Sequence, residues 1–162
     1  LTPAPGVEAT PEMSAAEMAA AVKQRFEGCD ALVMAAAVSD FRPPRAAEGK
    51  IAKTDADTSV DLEHTEDILA GLGPAKGHRV LVGFAMETRD LVERARAKLE
   101  AKQLDLIVAN DLTREGAGFG HPTNVVTILD NAGAARHLPM LSKEQVAGEI
   151  LDRVVPLMKE GR

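Results

Sequence analysis

The residues of this chain whose types and surroundings suit chemistry are Asp40, Lys50, Lys53, Phe84, Lys98, Lys102 and Asn110. Asp40 follows the apolar stretch "DALVMAAAVS", where a carboxylate can accept a ribose hydroxyl, bind Mg²⁺ or cap the next loop. Ala35, Ala36 and Ala37 before it are small enough either to admit a ligand close to the backbone or to pack a helix against a sheet. Lys50 and Lys53 lie just beyond Pro43-Pro44-Arg45-Ala46-Ala47-Glu48-Gly49, on an excursion able to open and close. A closing loop that carries cations brings positive charge to reacting phosphoryl oxygens while shutting out water; an exposed loop lysine is the plainer alternative. Lys98 and Lys102, spaced i, i+4, share a helix face with Arg94; such a face is ordinarily solvated and clamps phosphates only where the helix borders a crevice. Phe84 ends an apolar run, where it either fills core or packs against a sugar or base.

Those residues need a scaffold, and the patterning predicts one. The capping box Ser14-Ala15-Ala16-Glu17 opens a helix over about 14–27. "DALVMAAAV" is apolar on both pleat faces, as a strand buried between helix layers would be. Asp57 to Glu63 alternates and predicts a half-exposed strand, followed by a short helix with Thr65 as N-cap. Arg79 to Ala85 and "LDLIVAN" predict two more buried strands, joined by the helix "RDLVERARAKLEAKQ" with Thr88 as cap and Leu91, Val92, Ala95 and Leu99 as its apolar stripe. After the glycine-rich "GAGFGHPT" come the strand "NVVTIL", a turn at Asp130 to Gly133 and a short strand near Ala135 to Leu138. A last helix starts at Ser142-Lys143-Glu144-Gln145 and buries Val146, Ile150, Val154 and Met158, with Pro156 expected to kink or shorten it.

Strands alternating with helices predict an α/β fold: a three-layer, Rossmann-like, mostly parallel sheet with an antiparallel hairpin at one edge. Ligands of open α/β sheets bind beyond the carboxyl ends of the strands, which selects Ser39-Asp40, Phe84-Ala85 and Asn110-Asp111 as neighbours in one crevice. No G-x-G-x-x-G is present, so phosphates are held by a loop upstream of Leu1 or by other means. At 162 residues, with 45% hydrophobic and 27% charged residues, the expectation is a single α/β domain over 1–162. A net charge of −6 and the absence of Trp and Tyr disfavour nucleic acid as a partner. The longest apolar run is too short for a bilayer, and the lone Cys29 suits a reducing compartment, so a cytoplasmic location without membrane attachment is expected. No metal-ligand spacing, Ser-His-Asp order or activated cysteine is legible.

Four segments, "AAAVSDFRP…EGKIAK", "VGFAMET", "ARAKLEAKQLDLIVANDL" and "GFGHPTNVVTIL", occur in that order between about Asp30 and Leu129. Together they resemble the phosphopantothenate–cysteine ligase family. The resemblance implies coenzyme A biosynthesis: 4′-phosphopantothenate is joined to cysteine through an acyl-cytidylate, with CTP as co-substrate, Mg²⁺ as cofactor, and CMP and pyrophosphate released. It implies that Ala36, Ala37 and Asp40 line the place where nucleotide and acyl substrate meet, and that Lys50 acts catalytically from a flap together with Asp40. It further implies nucleotide contacts from Asp67, Ile68, Phe84, Lys98, Lys102 and Asn110. Ala52 stands where the family carries a lysine, and Thr65-Glu66 stand where it commonly has Asn-Pro. Leu1 to Val7 resembles the linker after the family's N-terminal phosphate-binding strand-loop-helix, which is absent from the sequence. The family is typically a homodimer, and in many bacteria a flavin-dependent decarboxylase domain precedes the ligase on the same polypeptide. Two other readings are a nicotinamide-dependent oxidoreductase on a similar sheet and a non-catalytic fragment that retains nucleotide binding.

Overall fold

A computed structural model of the chain describes residues 5–45, 49, 59–114, 116, 118 and 120–160. Helix α1 (Ala15–Phe26) begins at the expected capping box, with Ser14 and Glu17 each satisfying the other's backbone N–H. Strand β1 (Ala31–Met34) follows, then the ribbon strands β2 (Phe41–Arg42) and β3 (Glu63–His64), and the short helix α2 (Ile68–Leu72). Strand β4 (Val80–Glu87), helix α3 (Leu91–Ala101) and strand β5 (Leu106–Asp111) form the centre of the molecule. Beyond them lie β6 (Thr123–Asn124), β7 (Val126–Asp130), β8 (Ala135–His137), β9 (Leu141–Ser142) and the long helix α4 (Lys143–Glu160).

The main sheet has five strands in the order β1-β4-β5-β7-β8. β1, β4 and β5 run parallel, and the β7–β8 hairpin adds two antiparallel pairings. Side chains alternate between two cores, as the two-residue strand period requires. Leu81, Ala85, Ile107, Ala109 and Leu129 face α1, α2 and α3, whereas Val80, Val82, Leu106, Val108, Val126 and Ile128 face α4 through Val146, Ile150 and Val154. Helices on both faces give the three layers expected from the sequence.

Several elements differ from expectation for physical reasons. Among the described residues β1 is an edge strand, not a strand buried on both sides: only β4 pairs with it there, Val33 is 41% exposed, and the strand stops at Met34 so that Ala35, Ala36 and Ala37 are exposed coil. The strand expected before Glu63 is confined to Glu63–His64, because its partner β2 is only two residues long; Val60 and Leu62 stay exposed, and residues 57–58 lie outside the described residues. Asp67, not Thr65, caps α2. Thr65 instead spends its hydroxyl on the Ser39 carbonyl and its N–H on the Asp40 carbonyl. Thr88 does not cap α3; Asp90 takes the N-cap position in the left-handed region (φ 50°), and Val92 at 43% exposure falls off the apolar stripe. "NVVTIL" is divided, since Asn124 pairs outward with Leu141 while β7 joins the main sheet. Pro156 sits inside α4 without ending it. Its ring removes one donor near an exposed end of the helix, where water can satisfy the freed carbonyl.

One packing contact places the site. A Cβ on Gly73, at the end of α2, would fall 2.2 Å from the carbonyl oxygen of Lys102 at the end of α3, so only glycine lets the two chain segments approach this closely. A Cβ on Gly83 of β4 would likewise fall 2.6 Å from Leu104 Cδ1. The approach brings the cap of α2 within reach of α3: Lys102 Nζ lies 2.9 Å from Asp67 Oδ2, while Asp67 Oδ1 accepts from the Ala70 N–H at 3.1 Å. Burial alone would raise the Asp67 carboxyl, but the Lys102 hydrogen bond and charge, with the Ala70 and Leu69 N–H groups, outweigh it and hold the carboxyl below its usual range.

Two outcomes follow. Gly73→Ala forces backbone apart and should cost about 1–3 kcal/mol of unfolding free energy, read from urea denaturation; an unchanged midpoint would show that α2 and α3 separate freely. The folded Asp67 carboxyl has the lower pKa of the two states, so its contribution is fully present above about pH 4 and disappears as pH falls through the folded value. Asp67→Asn should therefore be less stable than the parent at neutral pH, with the two midpoints converging in acid. A difference independent of pH would refute the ion-pair origin.

Candidate active site

The parallel strands end on one side of the sheet, and there a cleft of ≈ 650 Å³ opens. It is bounded by the coil after β1, the ribbon β2–β3, the N-terminus of α2, the ends of β4 and β5, and one face of α3. Ala36, Ala37, Asp40, Asp67, Ile68, Phe84, Lys98, Lys102 and Asn110 all line it. Every described residue assigned by motif is thus brought into one place, although those motifs are scattered from residue 36 to residue 110. Lys50 and Lys53, and with them most of the expected flap, lie outside the described residues, as does Phe119. Among the crevice residues picked by strand ends, Ser39, Ala85 and Asn110 line the cleft as well, whereas Asp111 turns away into a local turn. The Thr113 hydroxyl and N–H, aided by Arg114, hold the Asp111 carboxyl below its usual range despite partial burial.

The rim carrying Asp40 is fixed from the outside. Ser39 Oγ accepts from the Phe41 N–H and donates to its carbonyl, and Thr65 ties the Ser39 and Asp40 carbonyls to the opposite strand. The Phe41 and His64 rings sit 4.7 Å apart, and Arg42 pairs with Glu63 at 2.8 Å. These bonds use backbone and neighbouring side chains only. Among the described residues the Asp40 carboxylate has no hydrogen bond or ion pair and faces the cleft, so of the three options open to it, the loop cap is not realised.

The cations on the opposite wall are held by carboxylates. Glu87, at the end of β4 and 8% exposed, lies 2.7 Å from Lys98 Nζ and 3.8 Å from Arg94. A buried carboxylate so placed restricts the long lysine side chain to one region of the wall. Lys102 is held by Asp67 as described above, at the C-terminal end of α3 where a cation also complements the helix dipole. Lys98 and Lys102 therefore border the crevice, which is the condition under which their helix face acts on a ligand. Glu87 escaped the sequence reading, although an acid at the end of an otherwise apolar strand was a signal. Asn124 escaped it too: 9% exposed on β6, it donates through Nδ2 to Asn110 Oδ1 at 3.1 Å.

Phe84 is half-buried, packing on the α4-side core while its outer part lines the cleft, so it fills core and is also placed where a ligand could reach it. The exposed alanines leave the cleft floor low beside β1. Small residues on one wall, paired lysines on the other and a free carboxylate at the rim suit a phosphorylated, ribose-bearing ligand.

Comparison with known proteins identifies the family and the fold. Residues 1–158 match the DNA/pantothenate metabolism flavoprotein C-terminal domain family. The chain is 46% identical over 153 residues to the coenzyme A biosynthesis bifunctional protein CoaBC of Bacillus subtilis, covering 94% of this chain and 38% of that protein. It is 42% identical over 146 residues to a cysteine/cysteine sulfinic acid decarboxylase from an unknown prokaryotic organism, covering 90% of this chain and 41% of that one. A crystal structure of the C-terminal domain of a CoaBC protein superposes with a TM-score of 0.81 at 34% identity, over 99% of this chain and 70% of the other. The chain thus spans well under half of the curated relatives it matches, yet nearly all of it takes part. By its sequence and by its α/β architecture, the chain belongs to the DNA/pantothenate metabolism flavoprotein C-terminal domain family.

Proposed function

We propose that this chain forms the nucleotide and acyl-substrate cleft of a phosphopantothenate–cysteine ligase acting in coenzyme A biosynthesis, with CTP as the activating nucleotide. The observation that carries the reading is the convergence of the motif residues, from Ala36 to Asn110, on one cleft at the carboxyl ends of parallel strands. In the reaction, the carboxylate of 4′-phosphopantothenate attacks the α-phosphorus of CTP and the bond to pyrophosphate breaks, giving an acyl-cytidylate. The cysteine amine then attacks the acyl carbon, CMP leaves, and the amine gives up a proton.

Neither step needs a covalent bond to the protein, so the chain's contribution is placement and charge. Negative charge grows on the phosphoryl oxygens as the first bond forms. Lys98 and Lys102 would stabilise it from a wall where Glu87 and Asp67 have already fixed their ammonium groups. Phe84 would hold the nucleoside, and Ala36 and Ala37 would let the acyl chain lie against backbone. Among the described residues no group of three or more His, Cys, Asp or Glu side chains is arranged to hold a metal ion. That donor set still fits Mg²⁺, which is commonly held by one or two carboxylates together with substrate phosphates. Asp40 is the free carboxylate available for it, and the ion when bound would neutralise phosphate charge. The homodimer and an upstream decarboxylase domain belong to the same reading. The exposed edge strand β8 offers a pairing surface for the former, and the bifunctional name of the Bacillus relative agrees with the latter. Among the described residues no helix is long and apolar enough to cross a membrane; a cytoplasmic setting is part of the same proposal.

The test is pyrophosphate release by the full-length polypeptide given phosphopantothenate, cysteine and either CTP or ATP. CTP- and cysteine-dependent release is expected; release with ATP alone would sink the nucleotide assignment, and no cysteine-dependent turnover would sink the ligase. Lys98→Ala and Lys102→Ala should each lower kcat/KM for the nucleotide by about 100-fold, the scale for one transition-state donor. Wild-type kinetics in either variant would remove that lysine from the site.

A further inference from the structure

Asn110 carries a primary amide into the cleft, and an unrestrained amide can turn either its carbonyl or its NH₂ toward a ligand. Here a residue that does not line the cleft meets that amide from behind. Asn124 Nδ2 donates to Asn110 Oδ1 at 3.1 Å, which occupies the carbonyl, whereas Asn110 Nδ2 has no partner among the described residues. Asn124 cannot readily swing away. It is 9% exposed, pairs across to Leu141 of β9, and adjoins Val125, whose carbonyl accepts from the Asp111 N–H at 3.1 Å. Its own Oδ1 is buried without a hydrogen-bond partner among the described residues. A buried amide left half-satisfied is unfavourable for the fold, so stability alone does not account for an asparagine at this position.

We propose that Asn124 is a positioning residue that locks the Asn110 amide with its NH₂ toward the cleft, so that the site reads a hydrogen-bond acceptor on its nucleotide. The acceptor class comprises a base carbonyl or ring nitrogen and the oxygens of ribose or phosphate. The inference rests on the nucleotide reading of the cleft.

Replacing Asn124 by aspartate separates positioning from packing. A carboxylate has no N–H to give, so Asn110 must turn over and donate its NH₂ to the introduced carboxylate, presenting its carbonyl to the ligand's acceptor. Asn124→Ala removes the lock but leaves Asn110 free to rotate to the productive side. CTP binding by the full-length polypeptide, measured by calorimetry, should weaken about tenfold or more in Asn124→Asp and only about threefold in Asn124→Ala. In turnover, the loss should fall on KM for the nucleotide, with rates recovering at saturating CTP. A packing role predicts the reverse order, because aspartate matches asparagine in shape, and an aspartate variant no worse than the alanine variant would overturn the inference. If the aspartate variant does not fold, the side-chain NH₂ resonances of Asn110 in the parent decide: they should shift when CTP is added, and unchanged resonances overturn the inference. Failure of the parent to bind CTP would overturn the nucleotide reading itself, and this inference with it.

Discussion

Parallel pairing of β1, β4 and β5 obliges all three chains to leave the sheet on the same side, and the site depends on that geometry. The register sets the levels: Met34 lies beside Gly83, and Met86 beside Asn110. Chain leaving β1 therefore crosses the mouth one row below Phe84, and the alanine run that follows becomes the low wall of the cleft instead of a continued strand. Had these strands been antiparallel, Asp40, Phe84 and Asn110 would stand at opposite ends of the sheet. The antiparallel β7–β8 hairpin bears this out by exception, since its side of the sheet contributes Asn124 from behind the site and no cleft-lining residue.

Side walls then require helices close to those strand ends. α2 can stand against α3 only because Gly73 has no Cβ to meet the Lys102 carbonyl, and α2 can sit low over β4 only because Gly83 leaves room for Leu69 and Leu104. The same two absences serve packing and chemistry together. They bury Ile68, Leu69 and Leu72, and they bring the acidic cap of one helix to the basic end of the other. Burial of the three apolar side chains, each worth on the order of 1.5–3 kcal/mol, far exceeds what a partly exposed ion pair contributes. The pair is thus a consequence of the packing and not its cause.

Much of this was legible in the sequence because the relevant signals were local or strongly periodic. The capping boxes at Ser14 and Ser142 mark helix starts that the structure reproduces, with Gln145 returning the bond to the Ser142 N–H. The runs around Leu81 and Ile107 are apolar on both faces and are fully buried. "DALVMAAAV" looks the same by composition but lies at an edge, because burial depends on which neighbours a strand finds and not on its own pattern. Thr65 and Thr88 have the right chemistry for caps and lost the role to competing bonds and to backbone geometry that no local pattern encodes. Within the site, the residues that line the cleft could be named from motifs and strand ends. The residues that hold them, Glu87 and Asn124, could not, since they act through contacts 11 and 14 residues away along the chain.

Those supporting contacts make the two lysines unequal. Their ion-pair distances are nearly the same, 2.7 Å for Lys98 and 2.9 Å for Lys102, so the difference lies in the surroundings. Glu87 is 8% exposed, and water screens its charge poorly; the Asp67 side chain is 48% exposed and well screened. On the ligase reading, an incoming phosphate competes with Asp67 for Lys102 at small cost, because the carboxylate is readily rehydrated when released. Displacing Glu87 from Lys98 would strand a buried charge, so Lys98 keeps its partner and offers the phosphate its remaining N–H donors. One lysine is then a fixed donor and the other an exchangeable one. On that reading the cleft would bind a polyanion without ever holding two uncompensated cations against α3, which the like-charge repulsion of lysines one helical turn apart would otherwise disfavour.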